Sequence, residues 1–413
     1  MYVIARPREA TVHVTLNKLT ALRILRGMRT DVLAMGVPSA RCDATAPDPS
    51  PRKRWTRSAF DLAFLGECAD YSDARPLDIV VTSADQRLRM RSTSCTVYTQ
   101  GLPEGSFMPV SEDVSISAPE LLFVELSRML DLPHLVLLGM ELCGSFSRDP
   151  LDPRDGEVVF GVSPVTSVER IRSFCSEAKG LWGLERAREA LAYVRDNAWA
   201  PTEAMIATML LLPVVELGYG FRDIALNKRI LTPEGLSNTL SADSRVPDLI
   251  LTGSNAGINY DGGFHLDLDS IADAVTSAAE VPGDKDLQQA LAQAKRRVRE
   301  KVVDDFRRNR ELLADGAFVI PVTKEDVAAK GGLDTVVRQL IEIAERDGLD
   351  CAEQRKVLRS ATIAKARQKL IWSLLPGARG RQYGKLLVER QRRMFAPLVF
   401  GGFDNSGEAR ARQ

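Results

Sequence analysis

Arg245-Val246-Pro247-Asp248-Leu249-Ile250-Leu251-Thr252-Gly253-Ser254-Asn255-Ala256-Gly257-Ile258-Asn259-Tyr260-Asp261-Gly262-Gly263-Phe264-His265 is the stretch on which the reading of this chain turns. Pro247 can open a strand, because its missing N–H does least harm there, and Leu249 to Leu251 are apolar and β-prone. Thr252 to Asn255 carry turn chemistry, and Ile258, Asn259 and Tyr260 run back as a second strand. Successive side chains of a strand point to opposite faces, so Asn259 and Asp261 share one, and a hairpin brings Asp248 beside them. Three oxygen-bearing side chains so placed fit a divalent metal. They equally fit a tight turn, since Asp, Asn and Gly are ordinary turn residues.

The remaining sequence narrows the setting without deciding between those readings. With 413 residues the chain is long enough for two or three domains, and a hydrophobic fraction of 45% is that of a globular protein. The 55 basic residues cancel the 55 acidic ones, so any basic surface is local. Cys42, Cys68, Cys95, Cys143, Cys175 and Cys351 are scattered, with no Cys-x-x-Cys pair, which argues against a zinc ribbon or finger. There is no uncharged apolar run near 18 residues and no secretory core near Met1, so the expectation is a soluble, cytoplasmic protein without a membrane partner.

Residues 1–57 read as an N-terminal helix and linker. The helix spans Lys18 to Met35, with Leu22, Leu25, Met28 and Val32 on one face and Arg23, Arg26 and Arg29 on another. The arginine face fits a solvated surface or a phosphate contact. Residues 58–150 read as an α+β accessory domain, with a helix at Ala59 to Cys68, strands at Asp78 to Thr82, Cys95 to Thr99 and Val114 to Ser117, and apolar helices from Pro119 and Pro133. His134 fits a helix start or packing position. Ser167 is an N-cap, and further helices are expected at Leu184 to Asn197 and from Pro201 to Val215, with Glu203 in the first turn of the latter. A helix rich in Lys295, Arg296, Arg297, Arg299 and Lys301 then puts Asp305, Arg308 and Leu312 on one face, stops at Gly316, and leads into a strand over Ala317 to Thr323. Residues 328–413 read as a basic helical extension, in which Arg355, Lys356 and Arg359 begin a run of cations. That run fits phosphate neutralisation or packing on an acidic part of the same chain.

Pro201-Thr202-Glu203, Pro247-Asp248 with Asn259-Tyr260-Asp261-Gly262 and His265, and Asp305-x-x-Arg308 with Gly316-Ala317-Phe318-Val319 occur in one order. Together they resemble the PD-(D/E)xK nuclease superfamily, its very-short-patch-repair-like branch and the C-terminal domains of AbiEi-type abortive-infection antitoxins, over about residues 200–327. The resemblance implies an α/β fold with a restriction-endonuclease-like αβα core in residues 159–327. It implies Glu203, Asp248, Asp261 and His265 as catalytic residues, Asp248, Asn259 and Asp261 as ligands of Mg²⁺ or Mn²⁺, and Arg308 as a phosphate-side cation. DNA is then the expected partner, with a toxin or defence-system protein as a second one. The chemistry asks for this set because hard cations prefer oxygen ligands and must both activate water and stabilise charge on phosphate. The chain departs from the pattern at position 259, where Asn stands in place of the family's Glu and brings no negative charge. Two readings follow: a metal-dependent DNA phosphodiesterase, or a catalytically impaired nucleic-acid-binding or regulatory protein of the antitoxin type.

Overall fold

The computed structural model describes residues 13–43, 60–87, 90–99, 101–231, 244–261 and 285–375. The chain is mixed α/β with mixed sheets, and its contacts divide it into two compact units that meet in sequence at Ala204/Met205.

The first unit is built on a five-stranded sheet: β1 (Val14–Leu16), β2 (Leu77–Val81), β3 (Thr93–Val97), β4 (Phe107–Pro109) and β5 (Val114–Ser117), in the order β3-β2-β1-β5-β4. β1 is only three residues long yet lies at the centre, antiparallel to β2 and parallel to β5. Every residue of β1, β2 and β5 is buried, so the polar Thr15, Asp78, Ser115 and Ser117 of these strands are buried along with their apolar neighbours. α1 (Lys18–Arg29) follows β1, and α2 (Pro119–Leu126) follows β5 with its proline in the first turn. α3 (Leu132–Leu142) is capped by Asp131, whose Oδ1 accepts from His134 N at 3.0 Å and lies 2.5 Å from His134 Nδ1, so the histidine serves the helix start. A hairpin of β6 (Phe146–Arg148) and β7 (Val158–Phe160) comes next, then α4 (Val168–Glu177), capped by Ser167, and α5 (Leu184–Leu191). The segment read as a helix at Ala59 to Cys68 is instead a 3-10 piece, Ala63–Ala69, broken at Gly66, where φ is 49°.

The arginine face of α1 is a correction to both sequence readings. Arg23, Arg26 and Arg29 are all buried. Arg26 makes a two-pronged bond to Glu141, Nε to Oε1 at 2.8 Å and Nη2 to Oε2 at 2.7 Å. Arg29 donates to the carbonyls of Glu141, Gly144 and Ser163, and Arg23 to that of Cys68. Arg26 and Arg29 tie α1 to the C-terminal end of α3 and Arg23 ties it to the 3-10 piece, so this face is turned inward. A second buried carboxylate, Glu125 on α2, accepts from Asn17 Nδ2 (2.9 Å), Lys18 N (3.1 Å) and Tyr98 OH (2.7 Å), joining α2 to the β1–α1 junction and to the residue after β3.

The second unit carries a four-stranded sheet of order β13-β12-β11-β8. Its start is reached through α6 (Pro201–Leu211), which begins in the first unit and ends in the second. β8 (Ile224–Leu226), β11 (Leu249–Leu251) and β12 (Ala256–Asp261) are antiparallel neighbours, whereas β12 and β13 (Phe318–Thr323) run parallel. A small ladder of β9 (Ile230–Leu231) and β10 (Ser244–Arg245) lies beside the sheet sequence. Parallel strands require a crossover, supplied here by α7 (Lys285–Ala314), a 30-residue helix that packs on β13 and β10. It ends at Gly316, whose φ of +83° is a conformation glycine adopts without strain. After α8 (Lys324–Ala328), α9 (Gly332–Arg346) packs on β12 and β13, followed by α10 (Ala352–Leu358) and α11 (Ala361–Leu374). α9 through α11 therefore belong to the body of this unit. At its centre Arg367 of α11, with no exposed side-chain surface, bonds Asp334 Oδ1 at 2.6 Å and Leu217 O at 2.9 Å and stacks 4.2 Å from the Tyr219 ring. Tyr219 donates to the same Asp334 oxygen at 2.7 Å. Among the described residues no helix is long and apolar enough to cross a membrane.

Candidate functional site

β11 and β12 form the expected hairpin, joined by Thr252 to Asn255, with Leu249 opposite Ile258 and Ile250 opposite Gly257. Gly253 takes a φ of +84°, and Asp347 at the end of α9 pins the turn, accepting from Ser254 Oγ and Asn255 N at 2.7 Å each. Gly257 is forced by packing: a Cβ there would lie 2.5 Å from Ile250 Cδ1 and from Leu249 O. Continuing the register by one step sets Asp248 opposite Asn259, and alternation puts Asp248, Asn259 and Asp261 on one face.

The polar atoms of that face are engaged with one another. Asp248 N donates to Asn259 Oδ1 at 3.1 Å, Tyr260 N donates to Asp248 Oδ2 at 2.6 Å, and Asn227 N donates to Asp248 O at 3.0 Å. Side chains thus prolong the ladder beyond the last paired residues and clasp the open end of the hairpin. Asn259 is 3% exposed, and because its oxygen must face the Asp248 N–H, its Nδ2 is the remaining group; it has no partner among the described residues. An amide N–H is a donor and repels a cation. As arranged, the set does not fit a divalent metal, and among the described residues no three His, Cys, Asp or Glu side chains come together for one.

The other expected site residues fall in several places. Glu203 lies in the first unit, 5% exposed, where its Oε2 accepts from Trp199 N at 3.2 Å and closes the start of α6. Asp261 is half-buried at the end of β12. His265, the linker at 44–57 and the cations beyond residue 375 lie outside the described residues. Arg308, half-buried on α7, pairs with Asp305 at 3.3 Å. Arg355 is held by Glu345 and Glu342, at 2.6 and 2.8 Å, so of the three cations named on α10 and its end only Lys356 and Arg359 are exposed without an acidic partner among the described residues.

A different surface carries uncompensated charge. Lys295, Arg299 and Arg310 of α7 are exposed and have no acidic partner among the described residues. At about 100° per residue they fall within roughly 60° of the helix circumference and span roughly 22 Å along it. Phe306, 65% exposed, sits inside that arc, and Val302, 36% exposed, at its margin. The opposite side of the helix is tied down, since Glu311 and Asp304 bind Arg245 of β10. The strip was legible in sequence as a cation-rich helix, but which side faces outward was not. Arg338 of α9 was missed, because one arginine among Val337, Leu340 and Ile341 carries no signal until another helix is set against it. Comparison of the chain with family models, with curated proteins and with solved structures finds no match.

Proposed function

We propose that the second unit is a restriction-endonuclease-like nucleic-acid-binding module that holds DNA without cutting it, in a regulatory role of the abortive-infection antitoxin type. The observation that carries this reading is the strip on α7. Cations spaced along one exposed face neutralise phosphates, and an exposed aromatic among them offers a stacking surface to bases. The hairpin supports the non-cleaving form of the reading. Its one amide oxygen and one carboxylate oxygen are bonded to backbone N–H groups, and the Asn259 amide N–H, a donor, has no partner among the described residues.

The test is to titrate the full chain into labelled duplex and single-stranded DNA by fluorescence anisotropy, and to incubate it with supercoiled plasmid and Mg²⁺ or Mn²⁺. Salt-sensitive binding weakened by Arg299→Gln and Arg310→Gln, with the plasmid left intact, is the expected result. Nicking that disappears in a folded Asp248→Ala variant would instead establish the metal-dependent phosphodiesterase.

A further inference from the structure

Between α9 and α10 the second unit has a cleft of about 360 Å³, within the usual size range of small-ligand sites. Arg338, Arg355 and Arg359 line it together with Ile341 and Leu358, which are themselves buried. The three arginines are not equivalent. Arg355 is shared by two carboxylates, giving Nε to Glu345 Oε1 at 2.8 Å and Nη2 to Glu345 Oε2 and Glu342 Oε1 at 2.6 and 2.8 Å. Arg338 donates Nη2 to the Leu358 carbonyl at 3.0 Å, a neutral acceptor that leaves its charge uncompensated. That bond also covers a carbonyl at the negative end of α10, which would otherwise disfavour an anion. Arg359 is exposed, and its guanidinium has no partner among the described residues.

The cleft therefore presents two guanidiniums, Arg338 and Arg359, that pair with no carboxylate among the described residues, beside the Glu342 and Glu345 carboxylates that share Arg355. A carboxylate or a phosphodiester carries one negative charge, whereas a phosphomonoester carries between about 1.5 and 2 at neutral pH and offers three acceptor oxygens to guanidinium forks. We propose that this cleft binds a small phosphomonoester, with Arg338 and Arg359 on the phosphoryl oxygens and Arg355, braced by its two carboxylates, as part of the wall. The site is separate from the α7 strip and does not rest on the nucleic-acid reading.

Isothermal titration of the full chain with phenyl phosphate, and with its singly charged methyl ester, tests this directly. At pH 7.5 phenyl phosphate is expected to bind one to one and at least about ten-fold more tightly than the diester. The difference should shrink near pH 5, where the monoester loses its second charge. Arg359→Gln, at an exposed position with no bond to lose, should weaken phenyl phosphate at least about ten-fold while the circular dichroism stays unchanged, and Lys295→Gln on α7 should leave it as it was. Equal binding of the two esters, indifference to Arg359→Gln, or no binding at millimolar phenyl phosphate would overturn the proposal. Duplex DNA titrated into the same variants keeps the two readings apart: Arg359→Gln should retain DNA binding, and a chain that takes phenyl phosphate but not DNA defeats only the earlier one.

Discussion

At Asn259 the hairpin carries a side chain whose acceptor is bonded and whose donor has no partner among the described residues, at 3% exposure. A buried donor without a partner costs on the order of 1–3 kcal/mol, so the clasp to Asp248 must offset it. Asp248→Ala and Asn259→Ala should each destabilise the second unit by about 1–3 kcal/mol, read from urea unfolding. They remove different bonds, Tyr260 N–H to Asp248 Oδ2 and Asp248 N–H to Asn259 Oδ1, so the double variant should lose about the sum of the two; a loss well short of that sum would show that the two bonds act as one clasp. This part of the site was half legible. Alternation and turn residues are local properties, so the shared face of Asp248, Asn259 and Asp261 follows from the string itself. Which oxygen bonds which N–H depends on the last fraction of an ångström in register, which no spacing encodes. Glu141 offers a second residue-level test. Burial alone would lift its carboxyl, but the Arg26 guanidinium, with Arg148 and Arg29 beside it, brings it down to about 2. A lowered carboxyl stabilises the fold above its unfolded value near 4.5 and loses that contribution as pH falls from there towards 2. The first unit should therefore lose roughly 3 kcal/mol across that window, and Glu141→Gln, already weaker at neutral pH, should show a flatter acid profile over the same range.

Among the elements, α1 and α11 show why helix faces are hard to read from charge. Arg23, Arg26 and Arg29 recur every three residues, the pattern of a solvated stripe, yet Arg26 meets Glu141 115 positions away. Arg367 meets Asp334 and Leu217, 33 and 150 positions away, inside a segment that reads as a basic extension. Periodicity reports that one face differs from another. It does not report which face is covered, because the covering carboxylate lies on another element. The strand over Leu77–Val81 was easier, since its β-branched run Ile79-Val80-Val81 marks it, but β1 could be paired with β5 only once chain segments about a hundred residues apart were brought together. The Arg367 cluster makes a specific expectation at this scale. Removing one member of a buried ion pair strands the other, at a cost of about 3–5 kcal/mol, whereas replacing both with apolar residues of similar size is far milder. Arg367→Met should unfold the second unit at markedly lower urea, and adding Asp334→Leu should recover a large part of the loss; a double variant no more stable than the single one would mean that Tyr219 and the Leu217 carbonyl, not the ion pair, hold α11 in place.

For the molecule as a whole, the cancellation of 55 cations by 55 anions means that any affinity for a polyanion has to come from segregation of charge. Within the second unit the segregation is local: Asp304 and Glu311 lie on the side of α7 that grips Arg245, while Lys295, Arg299 and Arg310 lie on the side left open. Each phosphate neutralised releases a counterion and adds about −0.9 to the slope of log affinity against log salt. Three such contacts give a slope near −2.7, so DNA binding should fall roughly forty-fold between 50 and 200 mM salt. Arg299→Gln with Arg310→Gln should bring the slope close to −1 and should do so equally for unrelated DNA sequences, because contacts to phosphate carry no base information. Phe306→Ala behaves differently under the same scheme: it removes a stacking surface and no charge, so it should weaken single-stranded DNA more than duplex while leaving the slope unchanged. A slope that survives the loss of both arginines would move the interface away from α7, and with it the physical basis for reading this unit as a DNA-holding module.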